Sequence, residues 1–312
     1  MPPELPLEIQ QTILALATRD RHTAAENLRV STRTYPWMER LMYKKIVLDD
    51  EHTVKKFLDC LRLRPMHVQF AQQHIRSLFL VGSIQKSTLI KLLSLCNRVT
   101  CLGLALSTTE FATDGSPLWL ALDALPLKSL VLDMEIDSTS STSTINVFKN
   151  LTHLDICNDR MLDKPNAGLE ALSALTHLCT VLILGKSDPV AVIRLIGNAR
   201  LQILAFRVRD PHNRVERFMR KHEILDRRIV LLPIDLTYWA QLGQGDMLVW
   251  ELAEEQVKLS IPENKRHRCL SRTSIENAYA KYDDDDGDQN PEYDCTVTMA
   301  RTKGPHNDMH LR

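Results

Sequence analysis

HIRSLFL (74–80), VTCLGLAL (99–106), LKSLVLDM (127–134), LTHLDIC (151–157) and LQILAF (201–206) are versions of one phrase. An apolar residue is followed three and five places later by two more. The frame reads Ile75-Leu78-Leu80, Val99-Leu102-Leu104, Leu127-Leu130-Leu132, Leu151-Leu154-Ile156, Leu178-Val181-Ile183 and Leu201-Leu204-Phe206, at spacings of 23 to 28 residues. Looser copies stand at Tyr43-Ile46-Leu48 and Ile229-Leu232-Ile234. Each phrase alternates in its second half, as a short strand does. Between the phrases, Lys86–Cys96, Asn166–Leu175 and Asp188–Asn198 place apolar residues three and four apart, which predicts helices. A strand and a helix repeating about every 25 residues cannot bury their leucines alone. Stacking the units buries them and predicts an α/β solenoid with parallel strands on its concave face.

The frame resembles the leucine-rich-repeat family, LxxLxLxxN/C. Its Asn/Cys position holds Ser83, Ser107, Glu135, Asp159, Lys186 and Arg209 here, which predicts an irregular arc without an asparagine ladder. In that geometry the residues between the inward leucines face a partner: Ser77 and Phe79, Cys101 and Gly103, Ser129 and Val131, His153 and Asp155, Thr180 and Leu182, Ile203 and Ala205. This mixed, partly apolar row suits a protein surface. Phe79, Val131, His153, Asp155, Leu182 and Arg207 are the candidate target-binding residues. His153 and His177 each occur in Leu-Thr-His-Leu and read as repeat-equivalent surface positions.

The opening segment differs. Leu5-Pro6-Leu7-Glu8-Ile9 leads into Ile13, Leu14 and Leu16, an amphipathic helix with proline near its start. NLRVS and LMYKKIVL follow. Over residues 4–48 this resembles an F-box, especially the F-box-like domains of fungal leucine-rich-repeat proteins. The resemblance implies a Skp-type cullin adaptor as partner, bound through Leu5, Pro6, Leu7, Ile9, Ile13, Leu28 and Val30. The family's tryptophan position holds Thr34, with Trp37 three residues later. Pro36 falls where the third helix is expected and predicts a kink.

Lysine plus arginine and aspartate plus glutamate each number 39, a balance that argues against a dedicated nucleic-acid binder. Seven scattered cysteines without a CxxC pair, and no signal-like or transmembrane stretch, point to a reduced protein of the cytoplasm or nucleus. Arg207–Arg228 carries eight basic residues against four acids and reads as the exposed face of a helix, the alternative being a patch for an acidic partner surface or RNA. Gly185-Lys186-Ser187 lacks the loop a phosphate cradle needs, and DDDDGD (283–288) puts Tyr282 and Tyr293 where calcium requires carboxylates. No catalytic residue, metal site or cofactor is expected. Residues 245–258 read as an amphipathic helix capping the last repeat, with Leu248 and Trp250 inward; after Pro262 composition predicts a disordered polar tail.

These observations divide the chain into an F-box-like segment (1–48), a solenoid (49–260) and a tail (261–312). The resemblance to F-box-like leucine-rich-repeat proteins implies a non-enzymatic substrate receptor of an SCF-type ubiquitin ligase. The alternative is a leucine-rich-repeat scaffold with no ubiquitin link, whose first helices only cap the array.

Overall fold

The computed structural model describes residues 35–107, 117–133, 146–157, 172–233, 248–258 and 268–269, with 5–6, 9–10, 12–13, 16 and 169. Its centre is one open sheet in which every pairing is parallel and every strand neighbours the next in sequence. The strands are β1 (Lys45–Leu48), β2 (Ser77–Gly82), β3 (Cys101–Leu106), β4 (Ser129–Leu132), β5 (His153–Ile156), β6 (His177–Leu182), β7 (Ile203–Val208), β8 (Ile229–Pro233) and the two-residue β9 (Arg268–Cys269). Helices α1 (Tyr35–Lys44), α2 (Glu51–Arg62), α3 (His67–His74), α4 (Lys86–Leu95), α5 (Pro117–Asp123), α6 (Asn146–Lys149), α7 (Pro189–Ile196) and α8 (His212–Lys221) stand before and between them; α9 (Leu248–Lys258) follows β8.

The leucine frame sets the register. Ile46, Leu78, Leu102, Leu130, Leu154, Leu178 and Leu204 are successive partners across seven strands. They share one apolar core with Val54, Leu58, Leu89, Leu92, Leu122, Phe148, Val192, Val215 and Met219 from the helices, so α2 and α4 to α8 cover this face. Burying each such leucine contributes roughly 1.5–3 kcal/mol. At the strand entrances one carbonyl accepts two N–H groups of the next unit. Arg76 O takes Thr100 and Cys101, Thr100 O takes Lys128 and Ser129, Lys128 O takes Thr152 and His153, and Thr152 O takes Thr176 and His177.

That ladder corrects the frame in two units. The fifth is Leu175-Leu178-Thr180 rather than Leu178-Val181-Ile183, because Thr152 and Thr176 are equivalent and Thr180 pairs with Ile156 and Phe206. In the last unit Ile229 and Leu231, not Leu232 and Ile234, continue the rows of Leu204 and Phe206. The slip arose because a threonine occupies a leucine position. Its hydroxyl is buried without a hydrogen-bond partner. Thr180→Val should therefore raise stability by roughly 1 kcal/mol, since an unmet polar group is replaced by a methyl of similar shape; urea unfolding of the two chains checks this.

Carboxylates also tie units together. Glu51, in the first turn of α2, accepts from Gln85 N (2.9 Å) and Thr88 Oγ1 (2.7 Å) at the start of α4. Asp123 accepts from Val147 N at 2.7 Å. Gly82 closes β2 at φ +81°, where a Cβ would stand 2.6 Å from Asp49 O, so only glycine fits without a shift.

The expected helices at 86–96 and 188–198 form as α4 and α7. Of Asn166–Leu175, the described residues 172–175 make a turn, with Leu169, Leu172 and Leu175 buried in the core. Pro36 lies in the described helix α1 (Tyr35–Lys44), and the residues before it, where its kink is expected, lie outside the described residues. α1 runs straight into β1, so the segment read as 1–48 already contains the first strand. Arg64 anchors α1, donating to Glu39 (2.5 Å) and Tyr43 OH (2.9 Å) while lying over the rings of Tyr43 and Phe70. β9 falls in the stretch read as tail; Leu7, Leu28 and Val30 lie outside the described residues.

Candidate protein-binding face

Alternation along each strand sends every second side chain away from the leucine core. Two rows result. One runs Ser77, Cys101, Ser129, His153, His177, Ile203. The other runs Phe79, Gly103, Val131, Asp155, Cys179, Ala205, Val230. Arg207 shares the face, paired in register with Val181 and Leu232. Phe79, Val131, His153, Asp155 and Arg207 thus stand on the side the sequence indicates. Thr180 and Leu182 do not: both point into the leucine core, and His177, Cys179 and Val181 take their places.

The face is not bare. Phe79, Val131, Asp155, Ala205 and Arg207 are buried, which corrects the reading of these positions as partner-exposed; His177, read as a surface residue, is buried as well, and so is Cys179. Over the later strands the cover is α9. Trp250 and Ala253 are fully buried, and Trp250 meets His153 and His177 edge-on with ring centres 5.6 and 5.5 Å away. The helix forms as its apolar spacing predicts, but it lies across β7 and β8 with its tryptophan on β5 and β6. The expected end cap is a second layer on the sheet.

Beneath it is a polar cluster. The two imidazoles stack at 4.2 Å and 15°. Thr176 Oγ1 donates to Thr152 O and therefore accepts from His177 Nδ1 (2.8 Å); Thr152 Oγ1, donating to Lys128 O, does the same for His153 (2.9 Å). This network places the ring proton of both histidines on Nδ1 and leaves Nε2 bare. Glu254 Oε1 comes within 3.3 Å of His177 Nε2, and its charge favours the protonated ring. Burial pushes the His153 imidazole down to about 4, helped by His177 and opposed by Glu254; burial lowers His177 as well, again against Glu254.

One row further along the strands, Arg207 reaches from β7 across β6 to grip Asp155 of β5 with both Nη atoms. Nη1 also points at Cys179 Sγ (3.1 Å) and Cys157 Sγ (3.6 Å). Burial raises both thiols, so they stay protonated and inert at neutral pH. Burial opposes the charge of Arg207, while Asp155 more than restores it and holds the guanidinium above its usual range. Among the described residues no set of three His, Cys, Asp or Glu could hold a metal ion.

The basic stretch also divides. Arg207 is in this ion pair. Arg228 donates to Ile196 O, Asn198 O, Leu201 O and both oxygens of Asp226, tying α7 to the entrance of β8. Arg214, Arg217, Arg220 and Lys221 lie on the exposed face of α8, as expected.

At the N-terminus, Ile9, Gln10, Thr12, Ile13 and Leu16 are helical. Leu5, Ile9, Ile13 and Leu16 are 47–55% exposed.

These features define a class: among the described residues, an α/β chain with one open, parallel, sequentially ordered sheet whose second face carries a helix over its later strands. Comparison with protein-family models, with curated proteins and with solved structures finds no match. Among the described residues no helix is long and apolar enough to cross a membrane.

Proposed function

We propose that the chain is a non-enzymatic, protein-binding substrate receptor of an SCF-type ubiquitin ligase in the cytoplasm or nucleus. In this reading the sheet and its helices are a leucine-rich-repeat solenoid that holds the target protein, and the first helices are an F-box-like segment that docks a Skp-type adaptor. One observation carries the adaptor half. Ile9, Ile13 and Leu16 recur at helical spacing, and with Leu5 they make an apolar stripe that is open to solvent rather than turned into the core. Such a stripe is costly on a lone chain and useful against a partner. The strand-by-strand register of the leucines supports the repeat half, since each unit adds one strand and one segment of core.

Co-purification with a Skp-type adaptor tests the reading. The full chain should retain the adaptor. Leu5→Asp/Ile9→Asp/Ile13→Asp should lose it by at least 30-fold, about 2 kcal/mol, while keeping the circular dichroism of the parent. Equal adaptor binding by the triple variant, or none by the folded parent, would leave the scaffold alternative, in which the first helices serve only as a cap.

A further inference from the structure

We propose that the edge of the sheet at which the strands begin is a binding site for an acidic protein segment that carries an apolar residue among its carboxylates. Under the receptor reading this edge is the target's seat; as a binding site it stands without that reading.

The carbonyl ladder at the strand entrances builds this edge. Arg76 N donates to Lys44 O, and the carbonyls of Arg76, Thr100, Lys128, Thr152 and Thr176 carry the row on to Gln202, beside which the register sets Arg227. No carboxylate stands in that row. Lys44, Arg76, Lys128 and Arg227 belong to it, with Arg98 and Arg200 two residues upstream of their strands' entrances, and all six are exposed. None of the six meets a carboxylate among the described residues. Arg76 and Arg200 are instead held along the edge by Arg98 O (3.2 Å) and Ser173 O (3.0 Å). Of the nearby acids, Asp123 accepts from Val147 N and Asp226 pairs with Arg228, while Glu223, past the end of α8, is exposed. Helix-end electrostatics accounts for Lys44, the last residue of α1, but not for cations set directly before strands. The opposite edge is mixed, with Asp49, Asp133 and Asp188 among Lys86, Lys186 and Arg209. From β1 to β8 the row spans about 34 Å at about 4.8 Å per strand, the length of roughly ten extended residues.

What lies between the cations selects the class of partner. The hydroxyls of Thr100, Thr152 and Thr176 donate to carbonyls of the preceding unit, so they are not offered to phosphates. Among the described residues no tryptophan or phenylalanine is exposed, and the exposed Tyr35 stands at the far end of α1 from Lys44, so a base finds no platform for stacking. At the β7–β8 end a cavity of about 830 Å³ adds an apolar wall, where Leu201, Leu225 and Val257 lie beside Arg227 and Lys258. Leu225 is 54% exposed, and Lys258 also meets Glu254 at 3.1 Å. An apolar side chain flanked by carboxylates satisfies both the wall and the row of cations.

The test uses the full chain and fluorescein-labelled peptides of four Glu-Glu-Leu or four Glu-Glu-Gly units, read by anisotropy at low salt. The leucine peptide should bind roughly fivefold more tightly than the glycine peptide, and Leu225→Ser should erase the difference. Lys128→Glu/Arg227→Glu should weaken both peptides by roughly tenfold or more. Arg209→Glu/Arg214→Glu, equal in charge but placed after β7 and on α8, should change binding by less than about twofold. Circular dichroism checks folding, and if the first pair does not fold, Arg76→Glu/Arg200→Glu decides. No binding of the leucine peptide, an equal loss in the edge and control variants, or tighter binding of an oligouridine of the same length at this edge would overturn the proposal. The adaptor is absent from this assay, so failure of the edge and failure of the receptor reading are distinct results.

Discussion

Asp155→Ala should destabilise the protein by about 3–5 kcal/mol, and Arg207→Met by a similar amount, whereas Asp155→Leu/Arg207→Met together should lose far less than the sum. Both side chains are almost fully buried, at 1% and 4% exposure. Inside the protein a charge is tolerable only while its partner neutralises it. Removing either leaves the other desolvated and unmet, and that penalty dominates the loss. Replacing both by apolar groups removes the attraction and the two desolvation penalties together. The Cys157 and Cys179 thiols cannot substitute for the carboxylate, since burial keeps them neutral and sulfur is a weak acceptor. Urea unfolding of the four chains gives the coupling directly. A loss below 1 kcal/mol in either single variant would mean that water reaches the pair.

The pair also marks where sequence reading stops. Asp155 and Arg207 are each visible as candidates, one between inward leucines and one opening a basic run, yet they are 52 residues apart and no local pattern joins them. The register joins them, because parallel strands in chain order bring units two apart to within one side chain's reach. The strands themselves were legible. Leu78, Leu102, Leu130 and Leu154 repeat a pattern that only a stacked parallel sheet satisfies, and their pairing follows it. The reading failed at Thr180, where a polar residue stands in an apolar frame and the eye moves three places on to Val181 and Ile183. It failed again at α9. Amphipathic spacing shows that Trp250 has a buried side but says nothing of which surface receives it, so a cap and a cover look identical in sequence. The apolar N-terminal residues were legible as a helix, and their outward orientation is a property only coordinates supply.

Acidification should destabilise the protein in a window above that of its carboxylates. His153 has a folded value of about 4 against an ordinary 6.5, so the folded state prefers the neutral ring. Between those values the unfolded chain binds the additional proton, and stability must fall as pH falls. The contribution is fully present above pH 6.5, lost progressively down to pH 4, and constant below. With residual solvent access to the ring, it comes to about 2 kcal/mol. Asp50, Glu51, Asp226 and Glu254 have lowered values, so their losses begin as pH falls into the ordinary carboxylate range near 4 and continue below it, at the lower end of the histidine window. His74 and His177 are lowered too and share the window, so the assignment needs a variant. His153→Phe keeps a ring against His177 and Trp250 but cannot take the proton. Its unfolding free energy, measured in urea from pH 7.5 to 4.5, should fall about 2 kcal/mol less than that of the parent. Parallel curves would mean that the His153 ring is as well solvated folded as unfolded, and that α9 does not cover it in solution. A shallower curve for the variant would tie the proton to the seat of Trp250, since the charge would be placed 4.2 Å from a second imidazole beneath the same indole.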